Sequence, residues 1–281
     1  MQVISVVNMK GGVGKTTLAL NLADCLARSH QKRVAVLDVD PQFNATQCLI
    51  SGEDYVALLR RRGDTILNVF DGERNIQAGV VDGAVAIEPK ELSEIKLIKR
   101  KSVWLLPGNI DLYRLEMVAG EGREFLLKRF LEQNSESELA NFDYIIIDTP
   151  PTPSIWMTSA LIASNYYIIP VRPDPLSVIG IDLLRAIIDR RRKTYGLEIE
   201  NLGVVFTMVE RPDSVIYGRS RDSLAGNAFW RGKIFSQYIP KRVELARDQL
   251  SQPFMLDTED YDLRNNLRAL VQEILEKVDE S

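Results

Sequence analysis

Residues 1–17 read MQVISVVNMKGGVGKTT and decide the fold. The stretch from Gln2 to Val7 is dominated by Val and Ile, which is typical of a strand buried on both faces of a sheet. A loop with three glycines follows, and a helical pattern begins at Thr16. Glycines let backbone N–H groups approach an anion, and a helix N-terminus favours negative charge. The stretch therefore predicts a phosphate-binding loop between a strand and a helix.

This loop departs from the common pattern in which Gly and four further residues precede Gly-Lys-Ser/Thr. Met9 stands where that pattern has its first glycine, and a second lysine, Lys10, lies at the mouth of the loop. A chance glycine-rich turn is the alternative, which the position between a strand and a helix disfavours. Lys15 is expected to neutralise the β- and γ-phosphates of a nucleotide, and the Thr16 hydroxyl to hold Mg²⁺. The nucleotide-binding residues predicted in the loop are Lys10, Gly11, Gly12, Val13, Gly14, Lys15, Thr16 and Thr17.

Acidic residues end two further predicted strands. A buried strand over 34–37 runs into Asp38 and Asp40, and an apolar strand beginning at 143 ends at Asp148. Carboxylates at the C-terminal ends of parallel strands lie at the ligand-binding edge of an open sheet. Solvated turn residues are the alternative, which the nearby phosphate loop disfavours. Asp148 is therefore expected near the Mg²⁺ shell, where the metal would bridge phosphates and the Thr16 hydroxyl.

The composition is that of an ordinary globular protein. The 281 residues are 45% hydrophobic and 26% charged, with a formal net charge of −4. No apolar run approaches the roughly 18 residues of a transmembrane helix, and a strand that starts at residue 2 leaves no room for a signal peptide or an N-terminal DNA-binding domain. Cys25 and Cys48 lack metal-site spacing. These features predict a cytoplasmic protein, in which any nucleic-acid binding comes from a local patch.

Strands and helical segments alternate along the chain. This alternation predicts an α/β fold with a mostly parallel twisted sheet and helices on both faces. We expect one domain over 1–281. Further strands are predicted over 103–106, 166–171, 202–207 and 236–239, and longer helices over 16–29, 123–133, 177–195 and 261–278.

Two segments are assigned by their charge. Residues 51–102 form a variable, expanded segment in which we predict a short helix over 54–62 and another short element over 66–70. The basic triplets at 60–62 and 99–101 are expected on solvated faces rather than at nucleic-acid sites. The last predicted helix has one apolar stripe, and its other face is mixed and ends acidic. A membrane-surface helix has a cationic polar face. We therefore predict a packing helix over 261–278 and no membrane partner.

Residues 211–247 form a local basic region, with eight Lys and Arg against three Asp and Glu. One interpretation is sequence-independent binding to DNA phosphates, which would depend strongly on salt. The other is a solvated rim around a loop-rich segment. The DNA-binding candidates are Arg219, Arg221, Arg231, Lys233, Lys241, Arg242 and Arg247.

Four motifs in order resemble those of the deviant Walker A ATPases, the family that includes the ParA and MinD proteins. They are the loop KGGVGKTT at 10–17, the switch I segment DVDPQFNAT at 38–46, the Walker B strand ending at Asp148, and the switch II segment beginning at Pro150 and Pro151. The resemblance implies that Lys10 reaches the phosphates of a partner in a nucleotide-sandwich dimer. It also implies that Asp40 orients the attacking water and that Asp38 supports the switch and the magnesium shell. Met208 and Pro240 are expected at the nucleotide.

Within this family the chain is most similar to compact ParA/Soj-type partition ATPases. That similarity implies Mg²⁺-dependent ATP hydrolysis with slow intrinsic turnover, and an ATP-bound dimer on non-specific DNA of the nucleoid. A ParB-like or other cargo-bound protein would stimulate hydrolysis and release the dimer. The alternative is a positioning ATPase for a protein complex or a membrane-associated cargo. The acidic end of the last helix disfavours the MinD branch, and the positions of the two cysteines disfavour the iron–sulfur relatives.

Overall fold

The computed structural model describes residues 1–61, 63–71, 90–118, 120–241 and 254–280. Within these ranges, eight strands form one sheet in the order β3-β4-β2-β5-β1-β6-β7-β8. The strands are β1 (Gln2–Val6), β2 (Val34–Asp38), β3 (Ile98–Arg100), β4 (Val103–Leu106), β5 (Tyr144–Asp148), β6 (Tyr166–Val171), β7 (Glu200–Val209) and β8 (Ile234–Pro240).

Seven of these strands run parallel, and β3 pairs antiparallel with β4 at one edge. The predicted mostly parallel sheet is therefore confirmed. Strand β3 was not predicted, because a segment of three residues is too short to show an alternating pattern beside the charges that flank it. Lys99 at the centre of β3 is exposed, as is common for an edge strand.

The described helices cover both faces of the sheet. In β1, Ile4 and Val6 belong to one buried cluster, whereas Val3 belongs to another on the opposite face, as strand alternation requires. The helices are α1 (Lys15–Ser29), α2 (Asn44–Leu49), α3 (Gly52–Arg60), α4 (Ile66–Phe70), α5 (Leu112–Glu116), α6 (Leu126–Gln133), α7 (Ile155–Ala163), α8 (Pro175–Tyr195), α9 (Val215–Gly226) and α10 (Tyr261–Asp279).

Three segments differ from their predicted form. Helix α8 begins two residues earlier than predicted, because Asp174 accepts a hydrogen bond from the Ser177 N–H and Pro175 fits the first turn. The segment 123–133, predicted as one helix, divides into a 3₁₀ turn and α6, and Phe125 at the division is partly exposed against Tyr195. The region 211–247, expected to be rich in loops, contains α9 and β8.

Helix α10 packs against α1 and β8. The apolar stripe predicted for it is buried at Leu263, Leu267, Leu270, Val271, Ile274 and Val278. Among the residues that the structure describes, no helix combines the length and the apolar character needed to cross a bilayer.

The central strands bring the acidic residues together. Asp148 at the end of β5 lies in register with Val6 of β1 on one side and with Asp38 of β2 on the other. The phosphate loop leaves the sheet directly after β1, so it emerges beside both carboxylates. This common edge positions the candidate site.

Candidate nucleotide-binding site

The loop between β1 and α1 has the backbone geometry of an anion cradle. Gly12 and Gly14 have φ angles of 67° and 77°, in the left-handed region that glycine enters without steric strain. Gly14 is the N-cap of α1 and supplies no side-chain cap. The first N–H groups of a helix have no intrahelical partner. The N-terminus of α1 is therefore suited to receive an anion.

The loop is anchored to the far side of the sheet. The Thr207 hydroxyl in β7 donates to the Val13 carbonyl at 2.6 Å and lies 3.3 Å from the Val171 carbonyl in β6. At the mouth, the Lys10 N–H donates to Asn8 Oδ1 at 2.9 Å, and Asn8 Nδ2 donates to the Pro170 carbonyl at 2.7 Å. These contacts fix the loop to its scaffold independently of the segment after β2.

A cavity of about 400 Å³ opens above the loop. It brings together most of the predicted loop residues with Asp40 from the segment after β2 and Met208 from β7. Lys10, Val13, Asp38, Asp148 and Pro240 lie outside its lining. The lining residues are Gly11, Gly12, Gly14, Lys15, Thr16, Thr17, Asp40, Gln42, Asn44, Gln47, Cys48, Pro151 and Met208.

Five of these residues, Gln42, Asn44, Gln47, Cys48 and Pro151, are absent from the predicted site residues. Three of them lie on α2 at positions i, i+3 and i+4, which share one helix face. That spacing was present in the sequence, but the six-residue helix carrying it is too short to stand out by its apolar pattern. Cys48 therefore contributes to the wall of the cavity, whereas the sequence analysis considered it only as a possible metal or cluster ligand.

Lys15 is largely buried in the loop, with 7% of its surface exposed. Burial lowers the pKa of its ammonium, and the nearby carboxylates of Asp148 and Asp40 act in the opposite direction. Within the described residues, its Nζ donates one long hydrogen bond, 3.3 Å, to the Lys10 carbonyl. A phosphate would give this poorly solvated charge a stronger partner.

Thr16 and Asp148 form the part of the site that suits a divalent cation. The Thr16 hydroxyl donates to Asp148 Oδ2 at 2.7 Å. Asp148 is fully buried, and its other oxygen, Oδ1, has no hydrogen-bond partner within the described part of the chain. Burial raises the pKa of this carboxyl to about 7. A hydroxyl beside an orphaned carboxylate oxygen fits hydrated Mg²⁺, which would satisfy the oxygen and stabilise its charge.

Asp38 and Asp40 differ in their surroundings. Asp38 is fully buried, and its Oδ2 accepts from the Thr46 N–H at 2.8 Å and from the Thr46 hydroxyl at 2.7 Å. Burial raises the pKa of Asp38 well above its ordinary range, and Asp148 adds to that shift. Asp40 lines the cavity and accepts at Oδ1 from the Gln42 N–H at 2.9 Å. Asp38 therefore braces the segment from behind, while Asp40 faces the ligand space.

Lys10 is held within its own chain. Its Nζ lies 2.9 Å from both carboxylate oxygens of Asp174 and 2.9 Å from the Ser177 hydroxyl at the start of α8. The two charged side chains keep 42% and 32% of their surface exposed. Burial alone would raise the pKa of Asp174, but hydrogen bonds from Ser177 and Lys10 bring it below its ordinary value. The second lysine thus lies at the surface beside the cavity.

The remaining predicted residues are dispersed. Pro240 is buried at the end of β8, paired with Val209. Among the DNA-binding candidates, Arg219 and Arg231 are exposed. Lys241 pairs with Glu210 at 2.6 Å. The other described candidates contact aromatic rings: Arg221 donates to the Tyr217 hydroxyl at 3.1 Å, and the Lys233 ammonium lies 4.2 Å from the centre of the Phe229 ring. Arg242 and Arg247 lie outside the described residues.

Over the described residues 211–241, the basic region is not one patch. Lys233 precedes β8 and Lys241 follows it, so the length of that strand, roughly 25 Å at 3.3 Å per residue, separates them. Lys241 follows the C-terminal end of β8, on the edge of the sheet that holds the cavity, whereas Lys233 and Arg231 lie at the opposite edge of the sheet. Clustering along the chain therefore overstated clustering in space.

Comparisons with known proteins agree with the geometry. A family model described as an AAA domain matches residues 1–201. The chain is 30% identical over 247 residues to the sporulation initiation inhibitor protein Soj of Bacillus subtilis, covering 87% of this chain and 86% of Soj. It is 29% identical over 267 residues to the chromosome partitioning protein ParA of Caulobacter vibrioides, covering 94% and 88% of the two chains. A solved structure of a Cyanothece McdA variant in complex with ATP shares the fold, with a TM-score of 0.75 at 22% identity over 98% of this chain and 96% of that one.

Proposed function

Because the chain belongs to the ParA/MinD type of P-loop ATPases, we propose that it is a partition ATPase that closes into a dimer on Mg²⁺-ATP and binds DNA without sequence preference. ATPase activity comes with the family, which confirms the predicted family and enzyme class. The observation that supports a dimer is the position of Lys10, the second lysine of the loop. It lies outside the cavity of its own chain and is held at the surface by an ion pair with Asp174. From there its ammonium is available to a second active site.

In the proposed reaction, Lys15 and the N–H groups of the loop hold the β- and γ-phosphates. Thr16, with Asp148 behind it, would hold Mg²⁺, which neutralises charge on the phosphates when bound. Asp40 lines the cavity and would orient the attacking water, and Asp38 would keep the segment in place. Lys10 of the second copy would add positive charge where it develops in the transition state. None of these groups is a strong base, so slow turnover is expected.

The surface beside Lys10 supports a dimer. Ile179 and Leu183, one turn apart on α8, are 69% and 59% exposed, and Val215 and Ile216 at the start of α9 are similarly exposed. Both helices follow parallel strands, so both begin at the edge of the sheet that holds the cavity. Large exposed apolar side chains in one region are typical of surfaces that another molecule covers. A second copy placed there would bury them next to Lys10.

The DNA surface is proposed from charge. Three of the candidate cations are exposed: Arg219 on α9, Arg231 between α9 and β8, and Lys241 after β8. The full candidate set also includes Arg221, Lys233, Arg242 and Arg247. Binding through phosphates falls steeply with salt, by about one power of the salt concentration per contact. The proposed activating partner is a ParB-like or other cargo-bound protein, and the proposed location is the nucleoid.

The test is retention on a non-specific DNA duplex at low salt, with ATP, with ADP and without nucleotide. Retention with ATP alone is expected, with loss on adding salt. Asp40→Ala is expected to bind ATP, fail to hydrolyse it and remain on DNA as a dimer in size-exclusion chromatography. Lys15→Ala is the matched control that should not bind nucleotide. An Asp40→Ala protein that dimerises with ATP but does not bind DNA would overturn the DNA part and favour a positioning ATPase with a protein cargo.

A further inference from the structure

Phe43, in the segment after β2, adopts an unusual backbone conformation. Its φ and ψ angles are 42° and 41°, the left-handed region that a bulky L-residue enters only against steric strain. Its N–H donates to the Asp40 carbonyl at 2.8 Å, so the two residues close one tight turn. Strain of this kind persists where the surroundings hold it in place.

The aromatic ring of Phe43 is held by Tyr55 of α3. The two rings stack with centroids 5.3 Å apart and an interplanar angle of 16°. Tyr55 is 8% exposed, and its hydroxyl donates to the Gly108 carbonyl at 2.9 Å. The stack therefore connects the turn that contains Asp40 to the loop after β4, through a residue of the segment 51–102.

Gly108 links this stack to Asp38. A Cβ atom at Gly108 would lie 2.6 Å from the Phe43 Cβ and 2.9 Å from the Asp38 Cγ, so only glycine permits this approach. The Gly108 N–H donates to the Thr46 hydroxyl at 2.7 Å, and that hydroxyl donates to Asp38. The Asp40 N–H in turn lies 3.3 Å from Asp38 Oδ1. The turn is thus braced by its backbone on Asp38 and by its ring on Tyr55.

We propose that Phe43 and Tyr55 are positioning residues for ATP hydrolysis, whose stacked rings fix the turn of residues 40–43 and so aim the Asp40 carboxylate into the cavity. This inference rests on the role proposed above for Asp40. Neither aromatic side chain lines the cavity. Because the phosphate loop is anchored separately through Thr207, losing the stack should slow hydrolysis and leave nucleotide binding intact.

The variant Phe43→Gly separates positioning from stability, because glycine removes the ring and also relieves the strain at this backbone position. We expect a melting temperature no lower than that of the unmodified protein and an unchanged affinity for ADP. The turnover number should fall by roughly ten- to a hundredfold, because a misplacement of a reacting group by about 1 Å can cost about a hundredfold. Tyr55→Leu should slow turnover similarly, and the double variant should be no slower than the single ones. Phe43→Tyr and Tyr55→Phe keep the stack and should retain most of the rate.

Phe125→Leu, which removes another partly exposed ring stacked edge-on with Tyr195, is the control and should leave turnover unchanged. The proposal is wrong if Asp40→Ala abolishes hydrolysis while Phe43→Gly and Tyr55→Leu turn over normally. It is also wrong if these variants lose ADP affinity in parallel with rate, since the stack would then support binding. If Asp40→Ala itself hydrolyses ATP at the normal rate, the role proposed for Asp40 fails, and positioning through it fails as well.

Discussion

The phosphate loop lies between two regions of opposite character. On the β2 side, Asp38 and Thr46 are buried and hydrogen-bonded, and Phe43 is held against Tyr55. On the β6 and β7 side, the edge carries exposed apolar side chains on α8 and α9 and the half-exposed pair of Lys10 with Asp174. The first region is built to hold a carboxylate in one place. The second has the exposed apolar side chains that are typical of a surface covered by another molecule.

Removal of Lys10 should give the largest effect that separates the two regions. Lys10→Ala is expected to keep its affinity for ADP, because the cavity lining is untouched, and to lose about a hundredfold or more in turnover, as for other charges supplied in trans. Lys128→Ala, which removes an exposed lysine of α6, should be unaffected in both assays. Turnover is measured by single-turnover hydrolysis of ATP, and affinity by titration with fluorescent ADP. If ADP affinity and turnover fell equally, Lys10 would contact the nucleotide bound in its own chain and not that of a second copy.

The exposed apolar surface on α8 and α9 can be tested as a dimer interface by introducing a charged side chain. Leu183→Glu should weaken ATP-dependent dimerisation by at least about tenfold, since burying a leucine contributes about 2 kcal/mol and burying an unpaired charge is unfavourable. The melting temperature of the monomer should not fall, because Leu183 is exposed there. Met117→Glu, at an 80% exposed apolar residue elsewhere, is the control. Analytical ultracentrifugation with ATP measures both, and an undiminished dimer in Leu183→Glu would remove α8 from the interface.

Magnesium binding should depend on pH through the β5 carboxylate. With the pKa of Asp148 raised by burial to about 7, the folded protein carries a proton there at pH 6 that Mg²⁺ must displace. The affinity for Mg²⁺-ADP should therefore be up to about tenfold weaker at pH 6 than at pH 8. Calorimetric titration tests this, and Asp148→Asn should abolish most of the difference. In the absence of ligand, this carboxyl has the opposite effect on folding. Its contribution to the free energy of unfolding falls as the pH rises from about 4 towards 7, because the carboxyl loses its proton at a lower pH in the unfolded protein than in the folded one.

Release of Lys10 from its own chain should give the smallest effect. Asp174→Asn keeps the hydrogen-bonding group that caps α8 but removes the charge that holds Lys10. Exposed ion pairs contribute about 1 kcal/mol or less, so the ATP-dependent dimer should become at most about fivefold more stable. Sedimentation at several protein concentrations detects a change of that size. A weaker dimer would mean that Asp174 contacts the second copy rather than restraining Lys10.

The central sheet and the phosphate loop could be predicted because the residues that indicate them are close together in the sequence. An apolar strand, three glycines and Lys15 lie within 15 residues, and the acidic strand ends mark the same edge of the sheet. The partner of Lys10 was not readable, because Asp174 is 164 residues away and an acid that caps a helix is common. Phe43 could not be identified either, since nothing in an aromatic side chain indicates a left-handed backbone. The spatial arrangement of the basic region was not readable either, because clustering along the chain does not determine which edge of the sheet each cation reaches.

The short strand β3 has a consequence for how copies of this protein meet one another. An open sheet with a long, flat edge invites backbone pairing with another sheet, which leads to indiscriminate aggregation. Among the described residues, that edge is the strand β3, which is three residues long, runs antiparallel to its neighbour and carries the exposed Lys99. Lys101, with a φ of 51°, lies in the tight turn that leads from β3 into β4. Self-association at this edge is therefore discouraged, even at the high local concentrations that crowding along a polymer would produce.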